Sequence, residues 1–192
     1  MERLKVLVVD DSAVYRKIVA SAVDATELAI TENTASSGAI AIERMENTKY
    51  DVVLLDVFMP EMDGIEVLTE IKRRWRNVPV IMISSTGGKN AATTLKALEI
   101  GAIDFIMKPL DADYEKNMEI LKNHLKVIFA QLKIKSYQTN VVVEEKRQVQ
   151  PVAKKTSISG VDLILIASST GGPVALNTVF EGLQGLKKPL LV

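Results

Sequence analysis

Short apolar runs alternate along the chain with segments in which apolar residues recur every three or four positions. The first pattern predicts strands buried on both faces of a sheet, and the second predicts helices with one buried stripe. The predicted strands are residues 4–9, 28–35, 52–55, 78–83 and 103–107, and the predicted helices are residues 12–24, 38–45, 65–74, 90–99 and 113–134. Five strands that alternate with five helices predict an α/β fold, a doubly wound parallel sheet covered on both faces.

Two of the helices have stripes that can be given residue by residue. Ser12 is the predicted cap of the first helix. We expect the buried stripe of that helix to be Val14, Ile18, Val19 and Ala22, and that of the fifth helix to be Met118, Leu121, Leu125, Ile128 and Leu132.

Polar residues follow four of the predicted strands. Asp10 and Asp11 follow the first strand, Asp56 the third, Ser84 the fourth and Lys108 the fifth. Ligands of parallel sheets bind at the carboxyl ends of the strands, where these side chains would meet. Each residue taken singly is also compatible with an ordinary turn, cap or surface position. Their occurrence at four ends of one edge favours a functional site.

Three carboxylates in one crevice repel one another unless a positive charge joins them. Mg²⁺, which takes oxygen ligands and retains waters, suits Asp10, Asp11 and Asp56. A carboxylate can act as a nucleophile and form an acyl phosphate. Lys108 and Ser84 would then neutralise and position the phosphoryl oxygens on Asp56.

The pattern breaks at residues 136–160, which are polar, mixed in charge and interrupted by Pro151, so a linker with little structure is predicted. Residues 161–167 again predict a strand, before the turn Ser168-Ser169-Thr170-Gly171-Gly172, a helix at 174–182 and a strand start at 189–192. The turn is compatible with a nucleophile elbow, a phosphate-cradling loop or an ordinary glycine-rich turn. So short a segment cannot build a core alone, and we expect low hydrogen-exchange protection over residues 161–192.

Composition excludes several classes of protein. The 192 residues include 24 basic and 24 acidic side chains, so net charge gives no reason to expect nucleic acid or an anionic membrane as partner. Cysteine is absent, which excludes disulfides, thiolate chemistry and Cys-ligated metals. The apolar run near the amino terminus is too short for a signal peptide or a membrane span, so a soluble, cytoplasmic protein without membrane insertion is predicted.

The motifs in residues 1–135 resemble the receiver domain of two-component response regulators. They are Asp10-Asp11, Asp56 followed by Met59-Pro60 and Asp63-Gly64, Ser84 after VIMI, and Lys108-Pro109. The resemblance implies a flavodoxin-like sheet of order 2-1-3-4-5 and phosphorylation of Asp56 by a histidine kinase. It also implies Mg²⁺ held by Asp11, Asp56 and the Phe58 carbonyl with Asp10 acting through water, phosphoryl contacts from Ser84 and Lys108, and a switch residue at Phe105.

Phe58 departs from the polar side chain that many receivers carry two residues after the acceptor. We hypothesise that Phe58 hinders water and lengthens the life of phospho-Asp56. The same departure disfavours an aspartate-based phosphatase, which typically needs a second acid at this position.

A receiver, a linker and LILIASSTGGPVAL together resemble the chemotaxis protein-glutamate methylesterases of the CheB type. The likeness implies that residues 161–192 open the esterase domain, that Ser169 is its nucleophile, and that phosphorylation by a chemotaxis kinase releases demethylation and deamidation of methylated chemoreceptors. No His or Asp follows Ser169, and His124 lies on the fifth predicted helix, so the expected catalytic triad is incomplete in this sequence. The alternative is a non-enzymatic, phosphorylation-switched receiver that acts through protein contacts.

Overall fold

A computed structural model of the chain describes residues 2–85 and 91–141, with side chains over 2–85 and 92–134, and two short strands further on. The chain divides into two compact units, Met1–Tyr137 and Gln138–Val192, and each is considered by itself. No helix in the described ranges is long and apolar enough to cross a membrane.

Five parallel strands form the sheet of the first unit. They are β1 (Leu4–Val9), β2 (Ala29–Ala35), β3 (Val52–Asp56), β4 (Val80–Ser84) and β5 (Asp104–Met107). Their order is β2-β1-β3-β4-β5, which confirms the predicted fold. Every residue of β3 and β4 is buried, as expected of central strands covered on both faces.

The helices are α1 (Ala13–Ala25), α2 (Gly38–Asn47), α3 (Gly64–Arg74), α4 (Ala91–Ile100) and α5 (Tyr114–Val141). Alternate strand residues point to opposite faces of the sheet and produce two cores. One core packs strand residues such as Leu7 and Leu55 against α2, α3 and α4. The other packs strand residues such as Val8 and Leu54 against α1 and α5.

The predicted stripe of α1 is wrong at one position. Val14 is 64% exposed, and the helix buries Ile18, Val19, Ala22 and Val23. Since successive helical residues are about 100° apart, Val14 lies about 110° from the centre of those four residues. The stripe of α5 is confirmed at Leu121, Leu125 and Ile128, which are buried.

Helix α5 is longer than predicted. The helix was expected to end near residue 134, before a linker from residue 136, but it continues to Val141. No glycine or proline occurs between Ile134 and Pro151, so the sequence contains no strong helix breaker at the predicted boundary.

In the second unit, β6 (Ile164–Leu165) and β7 (Leu190–Leu191) pair in parallel. They fall within the strands predicted at residues 161–167 and 189–192. Ser169, its glycine-rich turn and the helix predicted after it lie outside the described residues.

Candidate functional site

The four strand ends identified in the sequence converge in the structure. Asp10 follows β1, Asp56 and Ser84 are the last residues of β3 and β4, and Lys108 follows β5. Their exposed fractions are only 2% for Asp10, 3% for Asp56, 1% for Ser84 and 5% for Lys108. The Lys108 amide donates to the Ser84 carbonyl at 2.7 Å, which continues the pairing of β4 with β5 to the site. The edge therefore holds ionisable groups that are almost fully removed from solvent.

A single ammonium group joins two of the carboxylates. Lys108 Nζ lies 2.8 Å from Asp10 Oδ2 and 2.8 Å from Asp56 Oδ2. Charged hydrogen bonds of this length in a buried setting are strong and directional. Lys108 therefore fixes the separation of the ends of β1 and β3.

The two buried aspartates differ in their remaining oxygen. Asp10 Oδ1 accepts a hydrogen bond from the Ser12 amide at 2.9 Å. Asp56 Oδ1 is buried and makes no hydrogen bond of normal geometry with the described residues, and the backbone amide of Phe58 makes only the smallest contribution to lowering the pKa of this carboxyl. A buried charged oxygen without a partner is costly, and such an atom in a folded protein calls for a ligand.

Asp11 completes a cluster that fits a divalent cation. Ligand oxygens of Asp10, Asp11 and Asp56 all lie within 4.8 Å of one another, and Asp11 is exposed. Mg²⁺ binds through a small number of carboxylates and retains waters, which an exposed carboxylate beside two buried ones allows. A cation here would also supply the partner that Asp56 Oδ1 lacks, so the residues fit this metal.

The pKa values of the site follow from burial and from this charge arrangement. Burial raises the pKa of Asp56, and the negative charge of Asp10 acts in the same direction; the hydrogen bond from Lys108 opposes both without reversing the shift. Burial lowers the pKa of Lys108, but its hydrogen bonds to Asp10 and Asp56 outweigh burial, so the net shift is upward. Folding therefore disfavours the ionised form of Asp56 and favours the ammonium form of Lys108.

The turn after Asp56 depends on a capped helix and a glycine. Asp63 caps α3 by accepting from the Glu66 amide at 2.8 Å, and Glu66 accepts from the Asp63 amide at 3.0 Å. A Cβ on Gly64 would lie 2.1 Å from the Asp56 carbonyl oxygen. Only glycine allows α3 to begin this close to the end of β3.

Two residues of α1 that the sequence interpretation missed also reach the site. Arg16 Nη1 donates to the Asp10 carbonyl at 2.6 Å and to the Asp11 carbonyl at 3.2 Å. Tyr15 donates its hydroxyl to the Pro109 carbonyl at 2.8 Å, and its ring centroid lies 4.9 Å from Lys108 Nζ. Their place in the first turn after the Asp-Asp pair was the available indication, since this turn begins beside the strand ends.

Phe58 and Phe105, the two phenylalanines with predicted roles, occupy different surroundings. Phe58 is 44% exposed in the loop after β3. Phe105 is partly buried on β5 and packs against the core on the α2, α3 and α4 face. The roles assigned to both from the sequence stay predictions.

Comparison with known proteins identifies relatives of this chain. The family described as response regulator receiver domain matches residues 6–118. The response regulator domain of Thermotoga maritima CheB is 32% identical, with a TM-score of 0.59 over 67% of this chain and 98% of that one. A chain of the CheX-CheY-BeF3-Mg²⁺ complex from Borrelia burgdorferi is 34% identical, with a TM-score of 0.55 over 65% of this chain and 89% of that one.

Curated relatives align along nearly the whole chain. A protein-glutamate methylesterase/protein-glutamine glutaminase of Halalkalibacterium halodurans is 38% identical over 99% of this chain and 54% of its own length. The protein of the same name from Treponema denticola is 31% identical over 100% of this chain and 58% of its own length. The chain thus spans about half the length of the curated relatives it matches.

Proposed function

Since the chain belongs to the family of response regulator receiver domains and is similar to the receiver of CheB, we propose that Asp56 accepts a phosphoryl group from a histidine kinase. We further propose that this transfer controls a chemotaxis protein-glutamate methylesterase. The observation that carries the first part is the buried Asp56 carboxylate, with Oδ2 held by Lys108 and Oδ1 without a hydrogen-bond partner among the described side chains.

Asp56 has the features of a nucleophile for phosphoryl transfer. A carboxylate oxygen forms a bond to phosphorus while the bond from phosphorus to the imidazole nitrogen of the donor breaks, and the imidazole keeps that electron pair. Oδ2 accepts from Lys108, and each carboxylate oxygen keeps a lone pair that can form the bond to phosphorus. The product is an acyl phosphate at the carboxyl end of β3.

The neighbouring side chains stabilise the transferred group. The Lys108 ammonium faces the acceptor and balances charge on the phosphoryl oxygens, and the Ser84 hydroxyl at the next strand end offers a hydrogen bond. Asp10, Asp11, Asp56 and the carbonyl of Phe58 would hold Mg²⁺, which when bound adds positive charge beside the acceptor and the incoming phosphate. Movement of Ser84 toward the phosphoryl group would be transmitted to Phe105 on β5, the strand that pairs with β4.

Incubation of the chain with acetyl phosphate and MgCl₂, followed by intact-mass measurement, tests this proposal. We expect the mass of one phosphoryl group to be added, and we expect hydroxylamine to remove it, as it does from acyl phosphates. Asp56→Asn should abolish the addition. Asp51→Asn is the matched control, because Asp51 lies at the opposite end of β3 and is exposed.

Two results would contradict the assignment. Phosphorylation of Asp56→Asn to the wild-type extent would place the acceptor elsewhere. An addition that resists hydroxylamine would indicate an ester on a hydroxyl group instead of an acyl phosphate.

The methylesterase part rests on the relatives and on Ser169. The relatives named protein-glutamate methylesterase/protein-glutamine glutaminase align across nearly the whole chain, including its last residues. We propose that Ser169 is the nucleophile of such an esterase, with methylated chemoreceptors as substrates and a chemotaxis kinase as phosphodonor. Its base and orienting carboxylate would have to come from residues outside this sequence.

Methanol release from methylated chemoreceptors distinguishes this proposal from a non-enzymatic receiver. For the protein that carries this chain, acetyl phosphate should raise the rate of release, and Asp56→Asn should remove the response to acetyl phosphate. Ser169→Ala should abolish release while phosphorylation of Asp56 continues. Release that is unaffected by Ser169→Ala would exclude this serine as the nucleophile.

A further inference from the structure

Tyr15 contacts the β5–α5 connection at two points. Its ring centroid lies 4.9 Å from Lys108 Nζ, and its hydroxyl donates to the carbonyl of Pro109, the next residue, at 2.8 Å. The ring is partly buried and packs against the core beneath α1 and α5. Tyr15 therefore contacts both the side chain of Lys108 and the backbone that carries it.

The ring gives the ammonium a contact that does not depend on the carboxylates. An ammonium has three N–H donors, and Lys108 is within hydrogen-bond distance of Asp10 and Asp56 with two of them. Attraction between an ammonium and an aromatic face operates within about 6 Å and strengthens when water is excluded. Lys108 is only 5% exposed, so the contact occurs in such a setting.

Phosphorylation changes one of the two carboxylate contacts and leaves the ring unchanged. When Asp56 becomes an acyl phosphate, its carboxylate charge is replaced by charge on more distant phosphoryl oxygens. The ammonium then exchanges the Asp56 carboxylate for the phosphoryl oxygens while it keeps its contact with Asp10. The Tyr15 ring is a further contact that is the same before and after the transfer.

We propose that Tyr15 is a positioning residue that holds the Lys108 ammonium in place for phosphoryl transfer to Asp56, through its aromatic face. The proposal rests on the proposed function of Asp56 and adds a residue that no motif of the family assigns here. The competing explanation is purely structural: the hydroxyl bond to Pro109 stabilises the loop, and the ring only fills space.

Two substitutions at Tyr15 separate these explanations. Tyr15→Leu removes ring and hydroxyl, whereas Tyr15→Phe keeps the ring and removes only the hydroxyl. With acetyl phosphate and MgCl₂, we expect Tyr15→Leu to slow phosphorylation about tenfold, the effect of losing a partly desolvated cation–π contact. Tyr15→Phe should restore the rate to within about threefold of wild type on the same reasoning.

Tyr114→Leu is the matched control. Tyr114 also packs against the core beneath α1 and α5, and its hydroxyl lies 3.1 Å from Ser21 Oγ on α1. It thus links α1 to the first residue of α5, without a contact to Lys108 among those the structure describes. We expect the phosphorylation rate of Tyr114→Leu to match that of wild type. Unfolding followed by the fluorescence of Trp75, the single tryptophan, verifies that each variant is folded.

A spectroscopic measurement checks the contact without any phosphoryl transfer. The ring should shift the Lys108 Hε resonances upfield by its ring current. We expect this shift to persist in Tyr15→Phe, to disappear in Tyr15→Leu and to be unaffected by Tyr114→Leu. Phenylalanines of increasing ring fluorination at position 15 should lower the phosphorylation rate stepwise, because fluorine withdraws the charge that attracts the ammonium while the ring remains.

The outcomes divide clearly. A wild-type rate in Tyr15→Leu, an equal loss in Tyr15→Phe and Tyr15→Leu, or a rate insensitive to fluorination would overturn the role of the ring. If wild-type protein accepts no phosphate, the function proposed for Asp56 fails, and with it the positioning role, even where the resonance shift shows that the contact exists. A tenfold loss in Tyr15→Leu with rescue by Tyr15→Phe supports both.

Discussion

Replacing Asp56 by asparagine is expected to stabilise the fold, although the change removes an ion pair. The substitution keeps the size of the side chain and an acceptor for Lys108, and it removes one negative charge. Asp10, Asp11 and Asp56 contribute three negative charges. Two positive charges face them: the Lys108 ammonium, which contacts the carboxylates of Asp10 and Asp56, and the Arg16 guanidinium, which donates to the backbone carbonyls of Asp10 and Asp11. After the change, Lys108 still has Asp10 at 2.8 Å, so no buried charge is left without a partner.

The size of the effect follows from the free-energy cost of burying the charged Asp56 carboxylate. Leaving a buried polar atom unpaired costs about 1–3 kcal/mol, and more when the atom is charged. Asp56 Oδ1 is such an atom in the absence of a cation, and burial raises the pKa of Asp56 because the ionised form is disfavoured in the folded state. Asparagine leaves a polar atom at this place but an uncharged one, so the gain comes from removing the buried charge, and we expect the free energy of unfolding to rise by about 1–3 kcal/mol at neutral pH.

The opposite effect is expected when the ammonium is removed instead. Lys108→Met would leave Asp10 and Asp56 buried, adjacent and both without a cationic partner. Breaking a buried ion pair in this way typically costs about 3–5 kcal/mol. Asp56 and Lys108 form the two ends of one 2.8 Å contact, yet Asp56→Asn should raise the free energy of unfolding and Lys108→Met should lower it.

Urea unfolding in EDTA, followed by Trp75 fluorescence, measures both effects. Trp75 is the single tryptophan and packs against the core on the α2, α3 and α4 face, so it reports on the first unit. With typical urea dependences, the midpoint of Asp56→Asn should rise by about 1 M. Asp51→Asn is the control. Asp51 is exposed and accepts a hydrogen bond from the Lys5 amide at 2.8 Å, and an asparagine at this position can accept the same bond.

A lower midpoint for Asp56→Asn than for wild type would refute the reasoning, because the attraction of Asp56 to Lys108 would then outweigh the cost of burial and the repulsion from Asp10.

Mg²⁺ provides a second check. At about 100 times its dissociation constant a cation adds about 2.7 kcal/mol to the stability of a protein that binds it only when folded. MgCl₂ should therefore stabilise wild type more than Asp56→Asn and narrow the gap between them.

Three further substitutions test neighbouring features. Gly64→Ala should lower the free energy of unfolding by about 1–3 kcal/mol in the same titration, because the added Cβ meets the Asp56 carbonyl oxygen; an unchanged midpoint would mean that α3 shifts without cost. Phe58→Glu should speed phosphate release from phospho-Asp56, measured by intact mass after removal of the donor, because an apolar ring gives way to a group that can orient water; an unchanged or slower release would contradict the hypothesis. Glu70→Gln should lower the thermal midpoint at neutral pH and low salt, because two neighbouring arginines lower the pKa of Glu70 from 4.5 to about 2. The stabilisation from ionised Glu70 is complete above pH 4.5 and is lost as the pH falls through about 2. If Glu70→Gln still melts below wild type under that pH, or in about 1 M NaCl, the stabilisation does not come from the ion pairs.

The strand ends could be found from the sequence because their residues have no use in a core. Asp56, Ser84 and Lys108 each end or follow an apolar run, and the carboxyl ends of parallel strands meet at one edge. Periodicity was enough to predict which runs become strands. Side-chain contacts such as the shared ammonium of Lys108 required coordinates, since they depend on rotamers that no pattern encodes.

The error at Val14 and the omission of Tyr15 have one cause. At 100° per residue, Tyr15 lies within about 10° of the centre of the buried stripe of α1, and Val14 lies about 110° from it. The sequence interpretation chose the more apolar of two adjacent residues. The orientation of α1 is decided instead by Tyr15, whose ring packs into the core while its hydroxyl reaches the Pro109 carbonyl.

Asp56 also helps to fix the position of its own strand. Four apolar residues of β3 are buried on both faces, and an aspartate bounds them at each end. Asp51 is exposed and exchanges hydrogen bonds with the backbone of Lys5, both at 2.8 Å. A slip of one residue in either direction would draw Asp51 into the sheet or move Asp56 away from Lys108, and either change would leave a carboxylate without its present partner. Asp56 therefore lowers the stability of the folded state and also raises the free energy of β3 paired one residue out of register. Asp56→Asn should stabilise the native register and lower the free-energy cost of the two shifted registers.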